Sequence, residues 1–267
     1  MATASYHRPV SIADAGKLLT ENDDARLLAG GQSILPSMRL GLLAPSALID
    51  LSGVLELKGN RIDGKSLVIG AMTTHAMVAE SREAQSKIPA LAALAGGIGD
   101  RQVRNRGTLG GSIANSDPAA DYPAGVLGLG ATVRTAKRTI AADDFFKGFF
   151  ETALEPGEII TAVSFPVPDR ASYVKFPQPA SRFALVGVFV AQFGKAVRVA
   201  VTGAGACAFR AKPLEEALTK KFDVQSCDGL VIPADSLNTD LFGSAQYRAH
   251  LIAVLARRAV QQALGQS

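Results

Sequence analysis

The sequence has few of the residues that hold metals. Its 267 residues contain three histidines and two cysteines, Cys207 and Cys227, with no Cys-x-x-Cys pair and no disulfide expected. A zinc site takes about four Cys, His or carboxylate ligands, and an iron–sulfur cluster takes about four cysteines. This chain alone is therefore expected to hold neither, so any metal chemistry in which it takes part would lie on a partner chain.

The sequence also lacks long apolar runs and clustered positive charge. The longest apolar run, residues 183–193, is about half of the roughly 20 residues that span a bilayer, and residues 1–9 contain no apolar segment of a signal peptide. The formal net charge is +4, from basic residues scattered singly or in pairs. We therefore expect a cytoplasmic protein with no membrane span and no nucleic-acid partner.

Glycine is abundant, and two glycine pairs stand in similar surroundings. The first lies in Ala29-Gly30-Gly31-Gln32-Ser33, and the second lies in Thr108-Leu109-Gly110-Gly111-Ser112. Without Cβ atoms, paired glycines let successive backbone N–H groups line one concavity and bind an anion. The Ser and Thr hydroxyls of the two loops would add hydrogen bonds to such a site.

Two interpretations of these loops remain open. Each glycine pair is compatible with a plain turn, whereas the two pairs together are compatible with a site that shares one diphosphate. Neither loop matches Gly-x-Gly-x-x-Gly or Gly-x-x-x-x-Gly-Lys-Ser/Thr, so a Rossmann fold and a Walker nucleotide site are both disfavoured. A ligand that carries a diphosphate is the first hypothesis to test.

Two aspartates follow the second glycine loop. Asp117-Pro118 is typical of a helix N-terminus, with Asp117 as the N-cap and the helix continuing to about Leu129. Asp121 falls one turn later. There it either accepts a hydrogen bond from a ligand hydroxyl, such as a ribityl or ribose OH, or is a solvated first-turn carboxylate.

Basic residues near the loops have equally open roles. Arg101, Arg104 and Arg106 precede the second loop, and they either add positive potential for a diphosphate or are surface arginines or members of interface ion pairs. His75 is interpreted as an ordinary first-turn helix residue, and no chemistry is assigned to it.

Hydrophobic patterning divides the chain into three units, of which the first two mix helices and strands. The first, residues 1–55, opens with a Ser11-x-x-Asp14 capping box and a short helix. Its predicted strands are 26–29, expected to be buried, and 47–51. The second unit, residues 56–169, has a helix capped by Thr74 and a helical apolar face from Ile88 to Ile98. Its predicted strands are 67–71, 132–135 and 159–165.

The third unit, residues 170–267, has a different pattern. Two apolar runs rich in β-forming residues, 183–193 and 196–202, are separated by Gly194-Lys195, which is typical of a tight antiparallel connection. Helical patterns follow at 211–218 and 244–264. The pattern predicts a separate domain built from a sheet and helices.

Several segments together resemble one protein family. Residues 29–36 (AGGQSILP), 69–76 (IGAMTTHA) and 103–121 (VRNRGTLGGSIANSDPAAD) are similar to the medium, FAD-binding subunit of the molybdenum hydroxylases, the xanthine dehydrogenase and carbon monoxide dehydrogenase family. Residues 173–176, 179–182 and 240–250 resemble the C-terminal flavoprotein domain of the same subunits. The resemblance covers essentially the whole chain.

The resemblance implies an α+β fold. It consists of a two-subdomain FAD-binding fold of the p-cresol methylhydroxylase type, followed by a C-terminal sheet-and-helix domain of the carbon monoxide dehydrogenase flavoprotein type. Carried over by position, residues of both glycine loops would bind the FAD diphosphate, and other residues would contact the ribityl region or lie near the isoalloxazine ring. The implied FAD-binding residues are Ala29, Gly30, Gly31, Gln32, Ser33, Ile98, Thr108, Leu109, Gly110, Gly111, Ser112, Asn115, Asp121, Ile160 and Lys175.

The resemblance also implies partners. A large subunit would carry the molybdopterin and a small subunit the 2Fe-2S clusters, with electrons passing from those clusters to the FAD of this chain and then to an external acceptor. The expected assembly is a dimer of heterotrimers, and no side chain of this chain is expected to be catalytic. A free-standing flavin-dependent oxidoreductase of the same fold is the alternative, and a non-enzymatic module whose glycine loops merely turn is a third hypothesis.

Overall fold

The computed structural model describes residues 4–230 and 232–265, and their strands form three sheets and one small hairpin, with helices packed against the sheets. The strands are β1 (Ser5–His7), β2 (Arg26–Leu28), β3 (Ala47–Asp50), β4 (Asn60–Asp63), β5 (Ser66–Gly70), β6 (Thr132–Thr135), β7 (Thr139–Ala141), β8 (Phe146–Gly148), β9 (Glu151–Thr152), β10 (Ile160–Pro166), β11 (Arg170–Pro177), β12 (Ala184–Phe193), β13 (Ala196–Thr202) and β14 (Phe209–Arg210). The helices are α1 (Ile12–Glu21), α2 (Ile34–Arg39), α3 (His75–Glu80), α4 (Arg82–Lys87), α5 (Pro89–Gly96), α6 (Arg101–Arg106), α7 (Leu109–Asn115), α8 (Tyr122–Gly128), α9 (Ala142–Phe145), α10 (Lys212–Lys220) and α11 (Ala245–Ala263).

The first sheet is parallel, in the order β1-β3-β2. Helix α1 begins as predicted, because the Ser11 Oγ accepts a hydrogen bond from the Asp14 N–H at 3.1 Å. The prediction of a buried strand at 26–29 was wrong in one respect. Strand β2 lies at the sheet edge, with Arg26 exposed and Leu27 only half-buried, because an edge strand has one neighbour and Leu27 faces a cavity.

The second sheet is antiparallel, in the order β4-β5-β10-β6-β7. Helix α3 begins where predicted, with the Thr74 Oγ1 accepting from the Met77 N–H at 3.3 Å. Helix α5 is shorter than the predicted apolar face, since it starts at Pro89 and ends at Gly96, so Ile88 and Ile98 lie just outside it.

The third sheet is antiparallel, in the order β11-β12-β13-β14, and β12 and β13 meet at the predicted tight turn, where Phe193 pairs with Ala196. Strand β12 is buried on both faces, which explains its unbroken apolar sequence. Val188 and Val190 belong to a core shared with α10 and α11, whereas Phe189 belongs to the core around the second sheet. The division into three domains therefore stays a prediction, because one core crosses the expected boundary at residue 170.

The predicted helix start at Asp117 was wrong. Helix α7 ends with Ser116 in the left-handed region (φ 47°), and residues 117–120 form a turn in which the Asp117 Oδ1 accepts from the Ala119 N–H at 2.8 Å. Helix α8 begins only at Tyr122, so Asp117 closes a turn instead of capping a helix.

The physical reason is a set of contacts with the third sheet. The Thr202 hydroxyl donates to the carbonyl oxygens of Pro118 and Ala120, at 3.0 and 2.6 Å, and the Gly203 N–H donates to the Pro118 carbonyl at 2.7 Å. In a helix that began at residue 118, these carbonyl oxygens would accept from N–H groups later in the same helix. Here they accept from Thr202 and Gly203 instead. Strand β13 therefore fixes the turn.

The sequence predicts no membrane span, no metal site and no disulfide, and residues 4–230 and 232–265 bear on each of these expectations. No helix there combines the length and the apolar character needed to cross a bilayer. No three His, Cys, Asp or Glu side chains of those residues come together as candidate metal ligands. Cys207 and Cys227 are both free thiols. The ends of the first and third predicted units, residues 1–3 and 266–267, lie outside the described residues.

Candidate functional site

The two glycine loops meet at one cavity of about 560 Å³. This volume lies within the roughly 300–1,000 Å³ that is usual for small-molecule sites. The lining comes from three separated stretches of chain, residues 26–51, 71–121 and 154–183. The loops that the sequence places far apart are therefore parts of one concave surface.

Glycines let the two loops touch each other. A Cβ atom on Gly30 would lie 2.7 Å from the Cα of Gly107 and would collide with the Arg106 carbonyl group, and a Cβ on Gly111 would lie 3.3 Å from the Ala29 Cβ. The Gly30 contact is with backbone, which cannot move aside as a flexible side chain can. Only glycine at position 30 permits this approach of the two loops.

The first loop offers its backbone donors to the cavity. Among the described residues no acceptor pairs with the N–H groups of Gly30, Gly31, Gln32 or Ser33, although all four residues line the cavity. Gly31 adopts φ 76°, which glycine tolerates without strain, and the Ser33 hydroxyl makes no capping bond to α2. Such a row of unpaired N–H groups is suited to an anion.

The second loop differs, because its N–H groups are already bonded within the protein. The Leu109 N–H donates to the Thr73 carbonyl at 3.1 Å, and the Gly110 N–H donates to the Ala71 carbonyl at 2.8 Å. The Gly111 N–H donates to the Thr108 Oγ1 at 3.1 Å. This loop presents a glycine surface and the hydroxyls of Thr108 and Ser112 to the cavity, and not a row of free donors.

Asp121 is a buried cavity residue, and the solvated alternative for it was wrong. Its side chain is 3% exposed, and its Oδ1 accepts from the Tyr173 hydroxyl at 2.7 Å and from the Lys175 Nζ at 2.9 Å. Burial raises the pKa of the Asp121 carboxyl, while the Lys175 ammonium opposes that shift. Both bonds fall on Oδ1, so Oδ2 has no partner among the described residues.

The cross-strand neighbours explain why Tyr173 reaches Asp121. Tyr173 and Lys175 are two residues apart on β11 and therefore share one face of the sheet. Gly187 on β12 is the cross-strand partner of Lys175 on β11. A Cβ atom on Gly187 would lie within 3.0 Å of the Tyr173 ring. The missing side chain gives the ring room to lean over β12 toward Asp121.

Most of the predicted FAD-binding residues line the cavity. The two that do not are Leu109, which is fully buried, and Lys175, whose ammonium is bonded to protein acceptors. Asn115 is half-buried, and its side-chain amide has no partner in the described part of the chain. The predicted residues that line the cavity are Ala29, Gly30, Gly31, Gln32, Ser33, Ile98, Thr108, Gly110, Gly111, Ser112, Asn115, Asp121 and Ile160.

His75, which sequence reasoning set aside, also lines the cavity. It is 4% exposed, and its ring lies 5.3 Å from that of Tyr122. Burial, with a smaller effect from the Arg104 charge, lowers the pKa of His75 to about 4, so the ring is neutral at pH 7. Its Nδ1 is buried with no hydrogen-bond partner in residues 4–230 and 232–265. A first-turn helix position in the sequence gives no signal of this burial.

Glu158 is a second cavity residue that the sequence did not single out. Its carboxylate accepts from the Arg138 Nε at 2.9 Å, from the Thr135 hydroxyl at 2.8 Å and from the Glu155 N–H at 2.8 Å. The Arg138 hydrogen bonds lower the pKa of Glu158 to about 2. Its partners lie on β6, on the loop after β6 and in its own loop, so only the fold brings them together.

Ser181, Arg182 and Phe183, in the connection between β11 and β12, close a further side of the cavity. All three are exposed, and Phe183 is 46% exposed. Family resemblance pointed to this segment, but no residue of it was given a role. Arg182 and Arg26 are the two arginines that line the cavity.

These residues fit the FAD that the resemblance implies. Unpaired N–H groups in the first loop suit a diphosphate, while the Asn115 amide, the Asp121 Oδ2 and the His75 Nδ1 are polar atoms without partners in the described residues. Apolar side chains, among them Ile98 and Ile160, form other parts of the wall. Such a combination of an apolar lining and a few fixed polar groups is usual for a cofactor site.

Comparison with known proteins gives the same result. Residues 2–168 match the family described as the FAD binding domain in molybdopterin dehydrogenase. The carbon monoxide dehydrogenase medium chain of Afipia carboxidovorans is 37% identical over 275 residues, which cover 97% of this chain and 96% of that protein. The nicotine 6-hydroxylase medium subunit of Paenarthrobacter nicotinovorans is 36% identical, with 97% and 96% covered.

A solved structure agrees over the same length. The structure of quinoline 2-oxidoreductase from Pseudomonas putida 86 superposes with a TM-score of 0.89 at 30% identity, and the match covers 99% of this chain and 98% of that one. The fold predicted from the resemblance is therefore confirmed. This chain belongs to the family of FAD-binding medium subunits of the molybdenum hydroxylases, which are oxidoreductases.

Proposed function

We propose that this chain is the electron-transferring subunit of a molybdenum hydroxylase, in which electrons from 2Fe-2S clusters on a small subunit pass through FAD to an external acceptor. The observation that carries the proposal is the row of unpaired N–H groups in the first glycine loop, set against the second loop in one cavity. Bound FAD would supply the redox chemistry, since it accepts and releases electrons.

The residues of this chain bind, orient and shield. The N–H groups of residues 30–33, with the hydroxyls of Ser33, Thr108 and Ser112, would bind the diphosphate. Asn115 and the free Oδ2 of Asp121 would accept or donate hydrogen bonds at ribityl or ribose hydroxyls. Ile98 and Ile160 would exclude water from the wall of the site. No side chain here needs to move a proton.

The partners follow from what relatives have in common. Medium chains named for carbon monoxide, nicotine and glyceraldehyde enzymes are all at least 34% identical to this chain. Similar medium chains thus serve different substrates, which supports a substrate pocket on the large molybdopterin subunit. We propose a cytoplasmic dimer of heterotrimers, each with one large, one medium and one small subunit.

Gly30→Ala tests the cofactor site. The new Cβ would collide with backbone at Arg106 and Gly107 and force the loops apart, so we expect FAD to bind at least about tenfold more weakly. FAD binding is measured by titration of the apoprotein with the quenching of flavin fluorescence as the signal. Gly16→Ala in helix α1, where a Cβ meets nothing within 4 Å, is the control and should bind FAD normally.

Purification of the tagged chain from its native source tests the complex. The expected preparation contains flavin, iron and molybdenum in one assembly. A chain that purifies alone, holds FAD and turns over a substrate by itself would instead support the free-standing flavin oxidoreductase. A chain that binds no FAD under any condition would contradict the proposal.

A further inference from the structure

Three successive backbone carbonyls accept hydrogen bonds from cationic side chains, and two of their residues, Ile98 and Gly99, line the cavity. The Gly97 carbonyl accepts from the Lys175 Nζ at 2.9 Å. The carbonyls of Ile98 and Gly99 both accept from the Arg104 Nη1, at 3.0 and 3.1 Å. Two side chains from different parts of the fold, one on β11 and one on α6, thus hold one short segment, residues 97–99.

Other hydrogen bonds hold the segment only in part. The Gly97 N–H donates to the Ala93 carbonyl at 3.0 Å and the Ile98 N–H donates to the Ala95 carbonyl at 3.3 Å, but the Gly99 N–H has no acceptor among the described residues. It follows the C-terminus of α5, and two of its three residues are glycines. Gly99 adopts φ 48° and has no side chain to pack. None of residues 97–99 lies in a strand, so no sheet ladder fixes them. A glycine-rich segment of this kind loses much conformational freedom when it is ordered.

Lys175 is itself held in place. Its ammonium, 12% exposed, also donates to the Arg182 carbonyl at 2.9 Å and pairs with the Asp121 carboxylate at 2.9 Å. An ammonium has three protons, and here each has its own acceptor. The same side chain therefore links the 97–99 segment to Asp121 and to the 181–183 segment, both of which line the cavity.

We propose that Arg104 and Lys175 are positioning residues that hold residues 97–99 in one conformation, so that Ile98 presents a preformed wall to the cofactor. The identity of the ligand rests on the proposed function, whereas the immobilisation is a property of the chain without ligand. A wall that is already ordered lowers the conformational entropy lost on binding, and so strengthens binding without touching the ligand.

Arg104→Met tests the proposal in the apoprotein. Loss of both carbonyl contacts should make amide hydrogen exchange in a peptide that covers residues 97–99 about tenfold faster. Arg101→Met is the matched control, because Arg101 lies on the same helix, carries the same charge and is exposed. It should leave exchange at 97–99 unchanged. Arg104→Lys keeps a cation of similar reach and should restore part of the protection.

The loaded protein gives a second readout. Arg104→Met should weaken FAD binding about three- to tenfold and alter the visible absorption spectrum of bound flavin, while Arg101→Met should do neither. A second variant, Lys175→Met combined with Asp121→Asn, removes the Gly97 contact without leaving a buried carboxylate unpaired. This double variant should speed amide hydrogen exchange at both 97–99 and 181–183. It tests the positioning role if Arg104→Met does not fold.

The outcomes separate the two proposals. Equal exchange at 97–99 in Arg104→Met, in the double variant and in Arg101→Met would overturn the positioning role, whatever their affinity for FAD. Failure of the unaltered chain to bind FAD would contradict the proposed function instead, and the exchange comparison would still decide whether the cations order the segment.

Discussion

Glu158 shows how one residue links the cavity to the stability of the chain. Its side chain has no exposed surface, yet it is charged, because Arg138, Thr135 and the Glu155 N–H all donate to it. A buried carboxylate is tolerated only when such partners are present. These hydrogen bonds favour the charged carboxylate and so lower the pKa of Glu158.

This residue predicts acid sensitivity. The pKa of Glu158 is about 2 in the folded chain against 4.5 ordinarily, so its stabilising effect is complete above about pH 4.5 and is lost as the pH falls toward 2. The loss should be about 2 kcal/mol, less than the shift alone implies because Arg138 is 41% exposed. Urea unfolding at pH 7 and pH 3 measures it, and Glu158→Gln should abolish this contribution to the pH dependence.

Glu155→Gln is the control for Glu158→Gln. Glu155 lies 3.3 Å from the same Arg138, but its side chain is 61% exposed. The change should alter the free energy of unfolding by less than about 0.5 kcal/mol. If both variants lose the same pH dependence, the assignment to Glu158 is wrong.

Residue roles with local partners can be predicted from sequence, and those with distant partners cannot. Ser11 and Thr74 cap helices by accepting from the N–H groups of residues three positions later, so the local sequence was enough to predict both caps. Asp121 depends on Tyr173 and Lys175, about fifty residues later in the chain. The residues next to Asp121 in the sequence do not show whether its side chain is buried or is solvated at the start of a helix.

At the scale of elements, the turn at 117–120 connects the cavity to the third sheet. It lies between α7, which follows the second glycine loop, and α8, which begins after Asp121. Thr202 on β13 is fully buried and bonds two carbonyls of this turn. The position of Asp121 in the cavity therefore depends on a strand about eighty residues away in the chain.

Thr202→Val is the corresponding variant. It keeps the shape of the side chain but removes the only hydroxyl donor to Pro118 and Ala120 that the described residues supply, so we expect a loss of about 1–2 kcal/mol in the free energy of unfolding, with weaker FAD binding. Chemical denaturation and FAD titration measure the two effects. Thr139→Val, at an exposed position on strand β7, should change neither by more than a small amount. Unchanged stability in Thr202→Val would show that the turn holds without the hydroxyl.

Elements themselves were largely predictable where their pattern was strong. The unbroken apolar run of β12 and the Gly194-Lys195 connection gave the β12–β13 hairpin, because both signals are local. Asp117-Pro118 is an equally strong local signal for a helix start, yet the turn prevails because Thr202 and Gly203 bind its carbonyls. Tertiary hydrogen bonds outweighed local preference there.

Over the whole molecule, the cavity draws its walls from all three predicted units. A ligand bound there holds them together, and binding to the folded state alone stabilises that state. At a concentration 100 times the dissociation constant, FAD should add about 2.7 kcal/mol. The unfolding temperature should then rise by about 5–10 °C for a chain of this size. Thermal unfolding with and without FAD measures the shift.

FMN is the control ligand, because it lacks the adenosine half of FAD and the diphosphate link. It should raise the unfolding temperature by much less than FAD at equal concentration. An equal rise with FMN would contradict a diphosphate site formed by the two glycine loops, and no rise with either ligand would contradict a flavin site in this cavity.

The cavity as a whole shows what the sequence could and could not predict. Of the fifteen FAD-binding residues that glycine pairs and family resemblance predict, thirteen line the cavity. Only the structure shows that the first loop has unpaired N–H groups while those of the second are bonded to Ala71, Thr73 and Thr108. Both loops carry the same paired glycines, and the difference arises from the strand and turn packed behind the second loop.

The spread of the cavity lining along the chain also has a consequence for biosynthesis. A nascent chain that has left the ribosome as far as Asn115 already contains both glycine loops, but it lacks Glu158, Ile160 and Phe183, which complete the walls. The strand β13 that fixes the turn before Asp121 emerges later still. We therefore expect FAD to bind only after most of the polypeptide has been synthesised, and a fragment truncated before residue 183 would carry both loops without the complete cavity.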